Sequence, residues 1–152
     1  MRRLLLALAL VAAPACGSDP ASAPASSARL EIHTARGADL RLSVEIADTP
    51  AERETGLMGR ERLDPFDGMV FTWAEPVRTA FWMKDTRIPL SIAFWDARNR
   101  IVALFDMDPC TADPCPTYDP GVEILGAVEV PQGDLGRLGV AVGDEIELTR
   151  AT

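Results

Sequence analysis

From Leu40 to Leu148 the chain falls into short apolar runs, with turn-forming residues recurring about every ten positions. That spacing leaves room for strands and little room for helices. Leu40, Leu42, Val44 and Ile46 alternate with Arg41, Ser43, Glu45 and Ala47, the period of two of a half-buried strand. Leu90 to Trp95 is almost wholly apolar, as expected of a central strand covered on both faces. Ala97-Arg98-Asn99-Arg100 is a turn, so Ile101–Phe105 should pair antiparallel with that strand. Further strands are expected at Arg29–Thr34 (the hairpin partner of the 40–46 run), Gly68–Trp73, Thr79–Met83, Val122–Val130 and Asp144–Thr149. Strands do not alternate with long helices, which argues against a doubly wound sheet. The predicted class is mainly β, a β-rich α+β domain. It should form one partly closed barrel or sandwich of about seven or eight short strands with one or two short helices.

The helix signals are local. Thr49 can cap free N–H groups, Pro50 suits a first helical position, and Glu52 can close a capping box. Gly56 can end the helix with positive φ after about two turns. Gln132–Leu138 could form one turn more. Asp106–Gly121, rich in proline, reads as a loop.

The N-terminus reads as an address. Arg2 and Arg3 precede ten apolar residues, Leu4–Ala13, half of what is needed to span a bilayer. Residues 1–15 are therefore expected to be a signal peptide. Cys16, directly after Ala13-Pro14-Ala15, is the expected lipidation site, and plain secretion after the same Ala-x-Ala is the alternative. Residues 16–28 form a polar linker and 29–152 the folded domain. These features place the protein outside the cytoplasm, in the periplasm or at the cell surface, and in an outer membrane if the host has one. The membrane would be reached through the lipid alone. Removing residues 1–15 leaves 13 Lys and Arg against 23 Asp and Glu, a net charge of −10. So acidic a chain is not expected to bind nucleic acid. It is expected to be a monomer with no cofactor, and nothing in the sequence names a protein partner.

Seven stretches, in order, resemble the DUF192 family of small, often exported prokaryotic proteins. They are Glu45–Pro50, Gly56-Leu57-Met58 with Arg60, Gly68-Met69, Phe81-Trp82-Met83-Lys84, Ile88-Pro89-Leu90, Pro109-Cys110 with Pro114-Cys115-Pro116 and Tyr118, and Leu138-Gly139-Val140 with Val142-Gly143-Asp144. The resemblance implies a compact β-barrel-like fold and carries no reaction with it. Two positions depart from the family pattern: Asp85 stands where Asn is usual and Ser91 where Asp is usual. Altered ligand contacts and a compensating exchange between the two are both open.

Cys110 and Cys115 are expected to form a structural disulfide in an oxidising compartment, their spacing being unlike a thioredoxin-type redox pair. Arg53, Arg60 and Lys84, with Trp82, Asp85 and Tyr118, are the candidate ligand-binding residues. An aromatic surface carrying cations suits a small anionic or carbohydrate ligand. Alternatively Arg53 and Arg60 pair with Glu52, Glu54 or Glu61, and Trp82 belongs to the core. Two other functions are weighed. One is metal handling, with copper on Met58, Met69, Met83 and Met107 or calcium on Asp106, Asp108, Asp113 and Asp119. The other is an envelope hydrolase using a carboxylate pair. The sole histidine, His33, lies at the domain's edge, so no Ser-His-Asp set is available. The reading leans away from an enzyme. No metal-ligand set or catalytic residue is assigned.

Overall fold

A computed structural model describes residues 26–150. The expected signal peptide, Cys16 and most of the expected linker lie outside the described residues. Nine strands and two short helices follow in the order β1 (Ser27–His33), β2 (Asp39–Ala47), α1 (Pro50–Thr55), β3 (Gly68–Val77), β4 (Phe81–Trp82), β5 (Leu90–Trp95), β6 (Ile101–Met107), β7 (Thr117–Tyr118), β8 (Ile124–Pro131), α2 (Asp134–Arg137) and β9 (Glu145–Arg150). Ser27 and Ala28, assigned to the linker by composition, are the first residues of β1. The domain is mainly β, as expected, and the strand count rises to nine through two pieces of two residues each. Among the described residues no helix is long and apolar enough to cross a membrane.

Seven strands form one sheet in the order β6-β5-β8-β3-β2-β1-β9, and β4 and β7 pair separately. All neighbours are antiparallel except β2 and β3, whose connection carries α1. The sheet curls until its two edge strands approach. Arg100, just before β6, bridges Glu145 of β9, and Ile101 N–H donates to the Asp144 carbonyl at 2.9 Å. The result is a partly closed barrel.

Alternation along the strands then makes two cores. Leu30, Ile32, Val44, Ile46, Val70, Trp95, Val128 and Ile146 fill the concave interior. Met69, Phe71, Leu90, Ile92, Phe94 and Ala127 project from the convex side of β3, β8 and β5, where Leu57, Leu63, Met83 and half-buried Phe81 cover them. This second core needs a lid of non-sheet chain. The lid is the 56–67 loop and the β4–β7 ribbon with the turns that flank it.

The helix forms as the sequence indicates. Glu52 N–H donates to Thr49 Oγ1 at 3.2 Å, Thr49 N–H donates to Glu52 Oε2 at 2.9 Å, and Pro50 opens the helix. Gly56 ends it at φ +44°. The 97–100 turn joins an antiparallel β5–β6 pair, with Asn99 at φ +57°. The expected 79–83 strand shrinks to Phe81–Trp82, because the chain turns at Lys84–Asp85. The 106–121 loop is shorter than expected: β6 continues to Met107, and Thr117–Tyr118 become β7 against β4.

Candidate functional site

The sequence-named residues do not all meet. Arg60 forms a two-point ion pair with Glu45, at 2.6 and 2.8 Å, rather than with Glu52, Glu54 or Glu61. Tyr118 is half-buried. It pairs across the ribbon with Phe81 and packs its ring 5.9 Å from Phe105, as part of the lid. Asp85 is exposed at φ +54°, and its carbonyl accepts from Gly59 N–H at 2.8 Å. Left-handed backbone is tolerated best by Gly, Asn and Asp, so the Asn usual here has a conformational reason that Asp85 also meets. Ser91 is buried. Its hydroxyl donates to Asp106, its register partner on β6, and accepts from Gly133 N–H at 2.8 Å. The carboxylate missing from β5 is thus supplied by the next strand. No hydrogen bond or ion pair joins Asp85 to Ser91 among the described residues, so the two departures are separate matters.

Arg53 and Trp82, by contrast, line one cleft between α1 and β4, with Glu54, Gly56, Leu57, Met58, Phe71, Phe81, Thr86 and Glu129. Trp82 is 50% exposed, so it is no core residue, while Phe81 and Met83 on the other side turn inward. Lys84 Nζ lies 5.6 Å over the Trp82 ring. Both residues would share a face in a strand. Here the turn after β4 brings Lys84 back over the indole instead. The Arg53 guanidinium donates to the carbonyls of Asp48 and Thr72 and stacks 5.1 Å from the Trp73 ring. It is a wall of the cleft whose charge is largely engaged.

The floor is a residue that the sequence reading passed over. Glu129 sits in the middle of β8, in register with Met69 of β3 and Ile92 of β5, and is 4% exposed. Its register places it among the residues of the second core. No described residue donates to its carboxyl. Every side-chain polar atom sealed from solvent in the described structure has a partner, so these oxygens must reach the cleft. Burial pushes the carboxyl up to about 8, and no other cause contributes. At neutral pH it holds its proton. The cleft holds about 40 Å³, room for a small polar group.

Other candidates are dispersed. Met69, Met83 and Met107 are buried in the second core, and Met58 lines the cleft. Of the loop carboxylates, Asp106 engages Ser91, Asp108 accepts from Gln132, and Asp119 accepts from Gly121. Among the described residues no group of three or more His, Cys, Asp or Glu could hold a metal ion. Cys110 and Cys115 are disulfide-bonded, and Cys110 N–H donates to the Met83 carbonyl, which ties the loop to the end of β4. A larger groove of about 800 Å³ runs between the β1–β2 hairpin, the 62–67 loop and α2. Its walls are mostly apolar and include Ile88, Pro89 and Leu90 of one family stretch, but none of the candidate ligand-binding residues. Glu129 makes the smaller cleft the more informative one, because a carboxyl that opens to a cleft without a protein donor is rarer than an apolar groove.

Comparison with known proteins gives a family and a fold. The family model DUF192, described as "Uncharacterized ACR", matches residues 31–148. No curated protein matches. A crystal structure from Sinorhizobium meliloti 1021, described as a candidate transcription regulator, is 30% identical with a TM-score of 0.76, over 84% of this chain and 97% of that one. A protein of unknown function from Novosphingobium aromaticivorans DSM 12444 is 28% identical with a TM-score of 0.73, over 89% and 94%.

Proposed function

The chain belongs to the DUF192 family, and from that premise we propose that it is a non-enzymatic binding protein of the cell envelope whose ligand is a small polyhydroxylated molecule of the carbohydrate class. The observation that carries this reading is the half-exposed Trp82 at the mouth of a cleft floored by an unpartnered carboxyl. An indole offers a flat apolar face to a sugar ring, and Thr86 and Glu129 offer hydrogen bonds to one substituent that enters the cleft. An anionic ligand is less well served. Arg60 is neutralised by Glu45, Arg53 is engaged by carbonyls, and the floor is itself acidic. The exported, lipid-anchored location rests on residues 1–16. The regulator description of the Sinorhizobium structure finds little support in this chain's charge of −10 after the signal peptide, since DNA binding needs clustered cations.

A second reading has one observation in its favour. Glu54 and Glu129 line the same cleft, and a carboxyl that keeps its proton at neutral pH is what a general acid needs. Against it, Glu129 is only 4% exposed, which keeps it from a bond between two sugar rings at the surface.

The test is titration of the mature protein with maltotriose, the N-acetylglucosamine trimer and the glucosamine trimer, followed by tryptophan fluorescence. Trp82→Ala should weaken any binding about tenfold, the equivalent of about 1.4 kcal/mol, while leaving the melting temperature unchanged. Lys84→Ala should act in the same direction. Binding that survives Trp82→Ala would refute the site. Cleavage of a trisaccharide, lost in Glu129→Gln, would install the hydrolase reading.

A further inference from the structure

We propose that the Glu129 cleft is an ammonium site, so that the ligand laid on Trp82 carries a primary amine, as an amino sugar does. This deepens the preceding reading and rests on it for the sugar, though not for the amine.

The argument begins with what the carboxyl lacks. Its neighbours across the sheet are Met69 and Ile92, whose side chains have no donor to offer, and its oxygens open to the cleft instead. A buried carboxyl is retained against this cost where something completes it. A hydroxyl brings one donor to two oxygens, whereas an ammonium brings three donors and a charge. The walls favour the charge. Phe71, Phe81 and Trp82 line the cleft, and ring faces attract cations. The same aromatic belt already holds two, Lys84 over Trp82 at 5.6 Å and Arg53 over Trp73 at 5.1 Å. The space of about 40 Å³ has room for a head the size of –NH₃⁺.

The charged groups facing the cleft are Arg53 and Glu54 on α1, with Lys84 on the turn beyond β4. Arg53 is spoken for by two carbonyls, which limits its repulsion of a second cation. Glu54 adds attraction at the mouth. The proton balance follows. Near pH 6 both the free carboxyl and the free amine are protonated, so forming the carboxylate–ammonium pair releases one proton from Glu129 to the buffer. At a pH well above 8 the carboxyl is already ionised and no proton leaves it.

The experiment is calorimetric titration of the mature protein with the glucosamine trimer, its fully N-acetylated counterpart, and ethylammonium chloride. Each titration near pH 6 is run in two buffers of different ionisation enthalpy. The expected result is that the amine trimer binds at least tenfold tighter than the acetylated one and releases about one proton. Glu129→Gln should abolish both the preference and the release. The proton count on the unaltered protein decides the matter even if Glu129→Gln fails to fold. Equal binding of both trimers without proton release overturns the ammonium site and leaves the carbohydrate reading standing. Binding of ethylammonium with proton release, and of neither trimer, keeps the ammonium site and overturns the carbohydrate. Binding of none of the three overturns both.

Discussion

Replacing Glu129 by glutamine should stabilise this protein, and by more at high pH than at low. In the unfolded chain the carboxyl titrates near its ordinary 4.5, and in the folded protein near 8. Below about pH 4.5 it is neutral in both states and its ionisation costs the fold nothing. Between those values the unfolded chain gives up its proton and the folded one keeps it, so stability falls as pH rises. Above about pH 8 the whole penalty is present. At about 1.4 kcal/mol per unit of pH, the interval from 4.5 to about 8 amounts to roughly 5 kcal/mol, a large part of a typical domain's total. Glutamine nearly preserves the shape and never ionises, so Glu129→Gln should remove this slope. The assay is urea denaturation of parent and variant at steps between about pH 5 and pH 9, without reductant so that Cys110–Cys115 stays closed. The two free energies should lie within about 1 kcal/mol of each other at the acid end. They should then separate by several kcal/mol in favour of the variant at the alkaline end. Parallel curves would mean that the carboxyl is solvated or paired in the folded state, and the description of the cleft floor would fall with it.

Two further outcomes follow from geometry. Ser91→Ala removes the donor to Asp106 and the acceptor of Gly133 N–H at a buried site. It should lower stability by about 1–3 kcal/mol, read from the denaturation midpoint. Gly68→Ala would place a methyl carbon 2.2 Å from the Glu129 carbonyl oxygen, a backbone atom that cannot step aside, and 3.0 Å from a Val130 methyl. A loss of about 3 kcal/mol or more is expected, seen as a melting point at least several degrees lower, whereas an unchanged melting point would contradict the β3–β8 spacing.

What the sequence discloses depends on whether a residue's surroundings are local. The 40–46 alternation, the apolar run at 90–95 and the Thr49-Pro50-Ala51-Glu52 cap each state their own structure within a few residues, and each is found. The curl of the sheet is not local. It depends on β6 and β9, far apart in the chain, coming together at Arg100 and Glu145. Parity set Trp82 on the face opposite Phe81 and Met83 without saying which face is exposed, and the partners of Arg53 and Arg60 were not legible either. A guanidinium at the end of a long side chain chooses among carbonyls and carboxylates that only the fold assembles. Glu129 was missed because Val128-Glu129-Val130 looks like the polar beat of a half-buried strand. A signal was present nonetheless. Ile124, Leu125, Ala127, Val128 and Val130 are apolar at both parities, so both faces of that strand are covered and its one charge must point inward.

The near-meeting of β6 and β9 also bears on life at high local concentration. An open sheet ends in two rows of unpaired N–H and C=O groups, the template on which chains add to one another edge to edge. In this domain part of each row is spent on the other. Arg100 bridges Glu145, and Ile101 and Ile146 N–H groups find carbonyls across the seam, at Asp144 and Asn99. Copies crowded together would meet shortened edges rather than open ones. Cutting the seam, for example with proline at Ile146, should therefore show itself as aggregation.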